Sequence, residues 1–387
     1  MGKAASGTGT IRKKTVQRNG KAYTYWEARY TTGYNPGTGR QIQRSITGKT
    51  QKEVAQKLKA ATASIDAGTY QAPCKLLVSE WLETWTENYL GGVKPRTVDS
   101  YKSVVRNHLI PAFGAVRLEA LTPDHIQAFY NGLSLSPKTV KNVHGILHKA
   151  LEQAVKNRYI PFNPAEACVL PKRERTEIKP LDEQQITAFL GAIKGHRLEY
   201  LFLVTLFTGM REGEVLGLTW DAVDLNAGTI TINKQLQKER GGSGEYCLVS
   251  TKNGKGRTIT IAPFVVATLR KVRVQQSKWK LCSLGCWDNS MNLVFTDELG
   301  GHLCAHTVYH RFKDIAASIG LPEARFHDLR HSYAVAALRS GDDIKTVQGN
   351  LGHATASFTL DVYGHVTDQM KQASADRMER FIQSVSG

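Results

Sequence analysis

Six side chains, spread over about two-fifths of the chain, carry the groups needed to break a phosphodiester without a metal ion. They are Arg211 in TGMREGEVLGL, Lys252 in STKNGKGRTITI, His327 and Arg330 in FHDLRHSYA, and His353 and Tyr363 in LGHATASFTLDVYGH. A phenol titrates near about 10, so Tyr363 needs neighbouring cations and a base to act as a nucleophile at neutral pH. Two guanidinium forks match the non-bridging oxygens of a single phosphate. An ammonium can protonate the oxygen that leaves, and an imidazole can donate to a phosphoryl oxygen. None of these residues signifies much alone. As one set they describe attack on a nucleic-acid phosphate by Tyr363, with the other five holding, neutralising and protonating it.

The elements expected to position this set can be read locally. Arg211 follows Thr208-Gly209 and begins a helix carrying Glu214, Val215 and Leu216, one turn along which Glu214 can orient the guanidinium. His327 and Arg330 stand at i and i+3 on one face of a helix whose other side, Ala334, Val335 and Leu338, is apolar. Lys252 precedes Asn253-Gly254-Lys255-Gly256, a hairpin-turn signal between β-like segments Tyr246–Ser250 and Arg257–Ile261. Lys255 is the rival for the acid, and Lys252 is preferred. Gly352 permits the turn that leads from helix 343–350 to His353.

Upstream, the chain divides by composition. Residues 1–68 hold three short strand-like segments, Gly9–Arg18, Ala22–Thr31 and Gln41–Ile46, then a helix opened by the capping box Thr50/Glu53. Up to Pro73 there are thirteen Lys and Arg against Glu27, Glu53 and Asp66, so ten of the seventeen net positive charges lie in the first fifth of the chain. A small sheet lined with Arg12, Lys14, Arg18, Lys21, Arg29, Arg40 and Arg44 suits insertion into a DNA groove; the plain alternative is a solvated basic face. Residues 74–170 read as four helices, Val78–Tyr89, Thr97–Leu109 ending before Pro111, one opened by Thr122-Pro123, and one from Ser136-Pro137 to about Arg158. Trp81, Leu82 and Trp85 are expected in its core. Arg96, Lys102, Arg106, Lys138 and Lys141, with His144, His148 and Lys149, are expected to line a DNA-facing side. Residues 171–180, PKRERTEIKP, read as an exposed linker, and 181–387 as a last, α+β unit. Within it, Thr229–Leu236 reads as one strand, and 368–384 as a terminal helix with Met370, Met378, Phe381 and Ile382 at spaced positions.

Several function classes are disfavoured. No stretch is apolar enough for a membrane span and no secretory signal or lipidation pattern is convincing, so a cytoplasmic location is expected. The six cysteines are sparse, and Cys282, Cys286, His302, Cys304 and His306 do not follow a zinc spacing, so free thiols and no metal or other cofactor are expected. No convergent set of three acids marks a metal-dependent nuclease.

The ordered set Arg, Lys, His-x-x-Arg, His, Tyr, with TGMREGE, HDLRHSYA and LGHA…YGH, resembles the tyrosine recombinase (phage integrase) family over Leu181 to about Val366. More weakly, residues 1–68 resemble the arm-type DNA-binding domain of phage and conjugative-transposon integrases. The resemblance implies a multidomain, mainly α protein with small β-sheets: a three-stranded sheet plus helix, a four-helix core-binding domain and an α+β catalytic domain. It also implies a 3′-phosphotyrosyl intermediate on Tyr363, no ATP or metal ion, and integration and excision of a mobile element. Double-stranded DNA with core sites and separate arm sites is the implied substrate, worked on by a homotetramer through a Holliday junction. An accessory DNA-bending protein is a further partner it allows. A chromosome-resolving recombinase and a monomeric type IB topoisomerase are rivals that share the chemistry; the basic N-terminal unit disfavours the first. A non-enzymatic DNA-binding regulator is disfavoured by the intact Arg211, His327, Arg330 and Tyr363.

Overall fold

The computed structural model describes residues 9–18, 20–67, 74–172, 179–239, 245–251, 254, 256–352 and 367–386. Among them no helix is long and apolar enough to cross a membrane. The chain forms two compact units, Met1–Glu174 and Arg175–Gly387.

The first unit opens with an antiparallel sheet of β1 (Thr10–Arg18), β2 (Lys21–Tyr34) and β3 (Gln41–Gly48), in the order β1-β2-β3. β2 runs further than its β-formers suggested, through a register shift between Thr31 and Gly33. Helix α1 (Gln51–Asp66) starts where expected: Thr50 accepts from the Glu53 N–H, and Glu53 reaches back to the N–H of Lys49. Ala28 and Tyr30 of the sheet pack on Val54 and Leu58 of α1, with Ile11, Trp26 and Ile46 at the margin. Strand alternation therefore turns Arg12, Lys14, Tyr25, Glu27 and Arg29 to the open face.

The remainder of this unit is helical: α2 (Val78–Asn88), α3 (Pro95–Val104), a π segment Val105–Leu109, α4 (Ile110–Phe113), α5 (Pro123–Gly132) and α6 (Pro137–Lys156). Thr122 and Ser136 cap α5 and α6, each with proline in the first turn. The third element corrects the expected stop before Pro111. Proline lacks an N–H and its ring crowds the carbonyl four residues back. The π segment relieves this by widening the turn, the Ile110 N–H reaching Val105 O, so the helical path continues through Pro111 to Phe113. Trp81, Leu82 and Trp85 are buried as expected, against Val143, Leu147 and Leu151 of α6, and the Trp81 indole donates to Ala150 O at 2.9 Å. Each such large apolar side chain contributes roughly 1.5–3 kcal/mol by leaving water.

The second unit begins with α7 (Glu183–Ile193), capped by Asp182, then α8 (Glu199–Thr208) and the short α9 (Glu212–Leu216). Its strands are β4 (Val223–Asp224), β5 (Thr229–Ile232), β6 (Lys234–Lys238), β7 (Tyr246–Ser250) and β8 (Arg257–Thr260). Helices α10 (Pro263–Cys282), α11 (Ala305–Ser318), α12 (Phe326–Arg339) and α13 (Ile344–Leu351) follow, and α14 (Thr367–Val385) ends the chain.

The strand pairing corrects two expectations. Residues 229–236 are not one strand: β5 pairs with β8, and β6 with β7, in separate sheets that part at Asn233. For the same reason β7 and β8 do not pair with each other around Asn253–Gly256. Ile232 faces Arg257 and Lys234 faces Ser250, so only Asn233 stands opposite residues 251–256. The strand pairing thus excludes a hairpin between β7 and β8; Lys252, Asn253 and Lys255 lie outside the described residues. Thr251, which is buried, donates its N–H to Asn233 O at 3.3 Å.

Candidate active site

Arg211 is the N-cap of α9, and α8 ends just before it on Gly209 in the left-handed conformation, φ 64°. A Cβ on Gly209 would also lie 2.5 Å from the ring of Tyr333, so glycine is required twice over. Glu214, one turn into α9, is 2% exposed and grips Arg211 at two points. It accepts the Arg211 backbone N–H at 3.0 Å and the guanidinium Nη1 at 2.7 Å. Glu214 thus orients the guanidinium as its spacing suggested.

Arg330 lies on α12, one helical turn from His327, and is 1% exposed. Its guanidinium donates to Gly209 O at 2.7 Å and to Leu351 O at 2.6 Å. Arg211 Nη2 donates to the next carbonyl, Gly352 O, at 3.3 Å. A third guanidinium completes the series: Arg257, at the start of β8, donates Nε to Asn350 O at 2.6 Å. Three arginines from three elements thus meet three consecutive carbonyls, 350 to 352, at the C-terminal end of α13. That end carries the negative pole of the helix dipole, which favours cations. Gly352 closes it with φ 63°.

Arg257 is what sequence reading missed. Its fork also spans Glu214, Nη1 to Oε1 at 3.1 Å and Nη2 to Oε2 at 2.7 Å. Burial raises the Glu214 pKa, but Arg257 and then Arg211 outweigh it and bring it down to about 2. The carboxylate is anionic at any pH of interest.

Asp328 anchors the start of α12 by accepting the backbone N–H of Arg325 at 2.8 Å and its guanidinium at 2.9 Å. His327 keeps an accessible side chain at this end of the helix. Partial burial of its ring, then the charges of Arg330 and Arg211, lower its pKa, so the neutral imidazole is favoured. His331 packs edge-on against it, ring centroids 4.9 Å apart, and burial holds its pKa down at about 4. Glu212, next to Arg211, has a buried Oε1 with no hydrogen-bond partner among the described residues, and burial raises its pKa.

The structure therefore brings together Arg211, His327 and Arg330. Lys252, His353 and Tyr363, together with Lys255 and the linker 173–178, lie outside the described residues. In the sequence Lys252 follows Thr251, which is buried, and His353 follows Gly352, whose carbonyl accepts from Arg211.

Similarity to known proteins agrees with this geometry. Residues 179–370 match the phage integrase family, and 77–134 match the N-terminal SAM-like domain of phage integrases. The chain belongs to the phage integrase family of tyrosine recombinases. Enzymes of this family cleave and rejoin DNA. Among relatives of the integrase-family chain is the protein called tyrosine recombinase XerC-like from Caldanaerobacter subterraneus subsp. tengcongensis. It is 28% identical over 388 residues, covering 95% of this chain and 98% of the relative. The fold is shared with the Tn1549 transposon integrase solved with a circular intermediate DNA (TM-score 0.67, 20% identity, 78% of this chain and 99% of that one). It is also shared with a lambda integrase dimer bound to a core site (TM-score 0.57, 18% identity, 90% and 94%).

The expected DNA-contacting residues fall in several places. Arg12, Lys14 and Arg29 share the open face of the N-terminal sheet, where all three surround Glu27, which is 5% exposed. Arg12 donates Nε and Nη2 to one Glu27 oxygen at 3.0 and 2.7 Å. Lys21 opens β2; the Arg18 side chain lies outside the described residues. Arg44 pairs across the strands with Tyr30, which puts it on the α1 side, and Arg40 sits before β3. Arg96, Lys102, Arg106, Lys138 and Lys141 are exposed on α3, the π segment and α6. His144 is partly buried instead, its Nδ1 3.2 Å from the Tyr130 hydroxyl, and Lys149 is committed to Tyr101 OH at 2.8 Å. Of the thiols considered for zinc, Cys304 lies 3.2 Å from the Tyr246 hydroxyl.

Proposed function

We propose that this chain integrates and excises a mobile genetic element as a site-specific recombinase, with Tyr363 as its nucleophile. The observation that carries the site assignment is the convergence of Arg211 and Arg330, with Arg257, on carbonyls 350–352, directly before His353. Guanidiniums preorganised at one point stabilise developing charge on a phosphate without a metal ion. Arg211 and Arg330 neutralise the non-bridging oxygens, and His327 and His353 donate hydrogen bonds or shuttle the phenol proton. The Tyr363 oxygen attacks phosphorus, forming the 3′-phosphotyrosyl bond as the bond to the 5′ oxygen breaks. Lys252 gives that oxygen its proton. The 5′ hydroxyl of the partner strand then attacks the phosphotyrosyl bond and releases Tyr363. Bond energy is conserved, so neither ATP nor a metal ion takes part.

In this reading residues 1–68 bind arm sites, 74–170 bind core sites together with the catalytic unit 181–387, and 171–180 link them. Four copies exchange strands through a Holliday junction. The Tn1549 and lambda structures with DNA, the lambda tetramer on a Holliday junction among them, support this assembly. On α14, Met378, Phe381, Ile382 and Val385 are exposed, at 58, 60, 47 and 65%. An apolar row of that kind suits packing on a neighbouring copy in the tetramer. The test is covalent trapping on a nicked core-site duplex in the presence of EDTA. Wild type should form a phosphotyrosyl complex and Tyr363→Phe should bind DNA without forming one; trapping by the variant would reject the assignment.

A further inference from the structure

Arg257 has no role in the chemistry above, yet it is built into the same network. Its side chain is 11% exposed. All three of its donor nitrogens are used: two on Glu214 and one on Asn350 O. Both oxygens of Glu214 are shared, Oε1 between the two guanidiniums and Oε2 between Arg257 and the Arg211 backbone. A buried carboxylate facing Arg211 alone would cancel its charge and leave a neutral pair beside the phosphate. The second guanidinium restores a net positive charge and sets the angle of the carboxylate.

We propose that Arg257 is a positioning residue for DNA cleavage: through Glu214 it keeps Arg211 oriented and cationic. The inference rests on Arg211 as a phosphate-binding group. Lysine cannot replace Arg257 in full, because a single ammonium does not span two carboxylate oxygens and a carbonyl in a fixed plane.

A double-mutant cycle on the full-length protein tests this. Wild type, Arg257→Gln, Arg211→Lys and the double variant are compared for rate of covalent complex formation on the nicked core-site duplex. Binding to the same duplex and Tm are followed in parallel. Arg257→Gln should slow cleavage by up to about 100-fold, the cost of a misplaced catalytic group. DNA binding should stay within about 2-fold, and in the Arg211→Lys background the further loss should also be no more than about 2-fold, because a residue acting through Arg211 has little left to lose. Arg257→Lys should fall between wild type and Arg257→Gln. An unchanged rate for Arg257→Gln, or the same fold-loss in both backgrounds, overturns the proposal; the second outcome marks a staple of the fold only. If Arg257→Gln does not fold, the cycle runs with Arg257→Lys, which keeps the charge. Failure of the underlying reading looks different: wild type itself then forms no covalent complex.

Discussion

The two histidines of FHDLRHSYA divide the work of one helix end. His327 stays accessible beside Arg211 and Arg330, whereas His331 is 5% exposed and its pKa is held at about 4. In the unfolded chain the same imidazole titrates near 6.5. Between those values the unfolded chain binds the proton and the folded protein does not. Stability from this group is therefore present above pH 6.5 and lost as pH falls toward 4, by about 3 kcal/mol in all. Urea midpoints at pH 7 and pH 4.5 should show a smaller drop for His331→Gln than for wild type; parallel pH curves would exclude His331 as the cause. Glu212 carries the opposite sign. Its raised pKa makes the charged form the costly one, so Glu212→Gln should raise Tm at pH 8 and lose that advantage near pH 4. An unchanged Tm at pH 8 would show that the buried carboxyl finds compensation. Neither residue could be picked out from the sequence, because both shifts come from burial that only the packed chain reveals.

At the level of elements, what is local was legible and what is paired at distance was not. Thr50, Thr122 and Ser136 announced their helices, since a cap is made within three residues. The Asn253-Gly254 signal was wrong as a hairpin, because β7 pairs with β6 and β8 with β5. Which strand a segment joins depends on partners far along the chain, and no turn motif encodes that. Arg257 was missed for the same reason: its acceptors lie 43 and 93 residues away in sequence. The junction of α8 and α9 makes a sharp test of the site's scaffold. Gly209→Ala forces a side chain into a left-handed backbone and against Tyr333. It should destabilise the second unit by about 1–3 kcal/mol and displace Arg330, whose guanidinium rests on Gly209 O. A Tm equal to wild type would show that the α8–α9 turn relaxes freely.

For the molecule as a whole, charge is the organising quantity. Ten of the seventeen surplus positive charges lie in the first fifth of the chain, and the open face of its sheet carries Arg12, Lys14 and Arg29. Removing residues 1–68 should leave cleavage of an isolated core site in place and weaken binding to a separate arm site. The log–log salt slope of binding should fall by about 0.9 for each DNA phosphate that the shortened chain no longer neutralises. An unchanged slope and affinity would reject an arm-binding role for this unit. The fate of decaying copies follows from Arg330. A guanidinium 1% exposed and bonded to Gly209 O and Leu351 O fastens α8, α12 and α13 to one another, whether or not any reaction occurs. Selection for a stable chain would retain it after selection for strand exchange had lapsed. Degenerate descendants should then lose Tyr363 sooner than Arg330, and an intact HDLR motif is a poor indicator that such a copy still moves DNA.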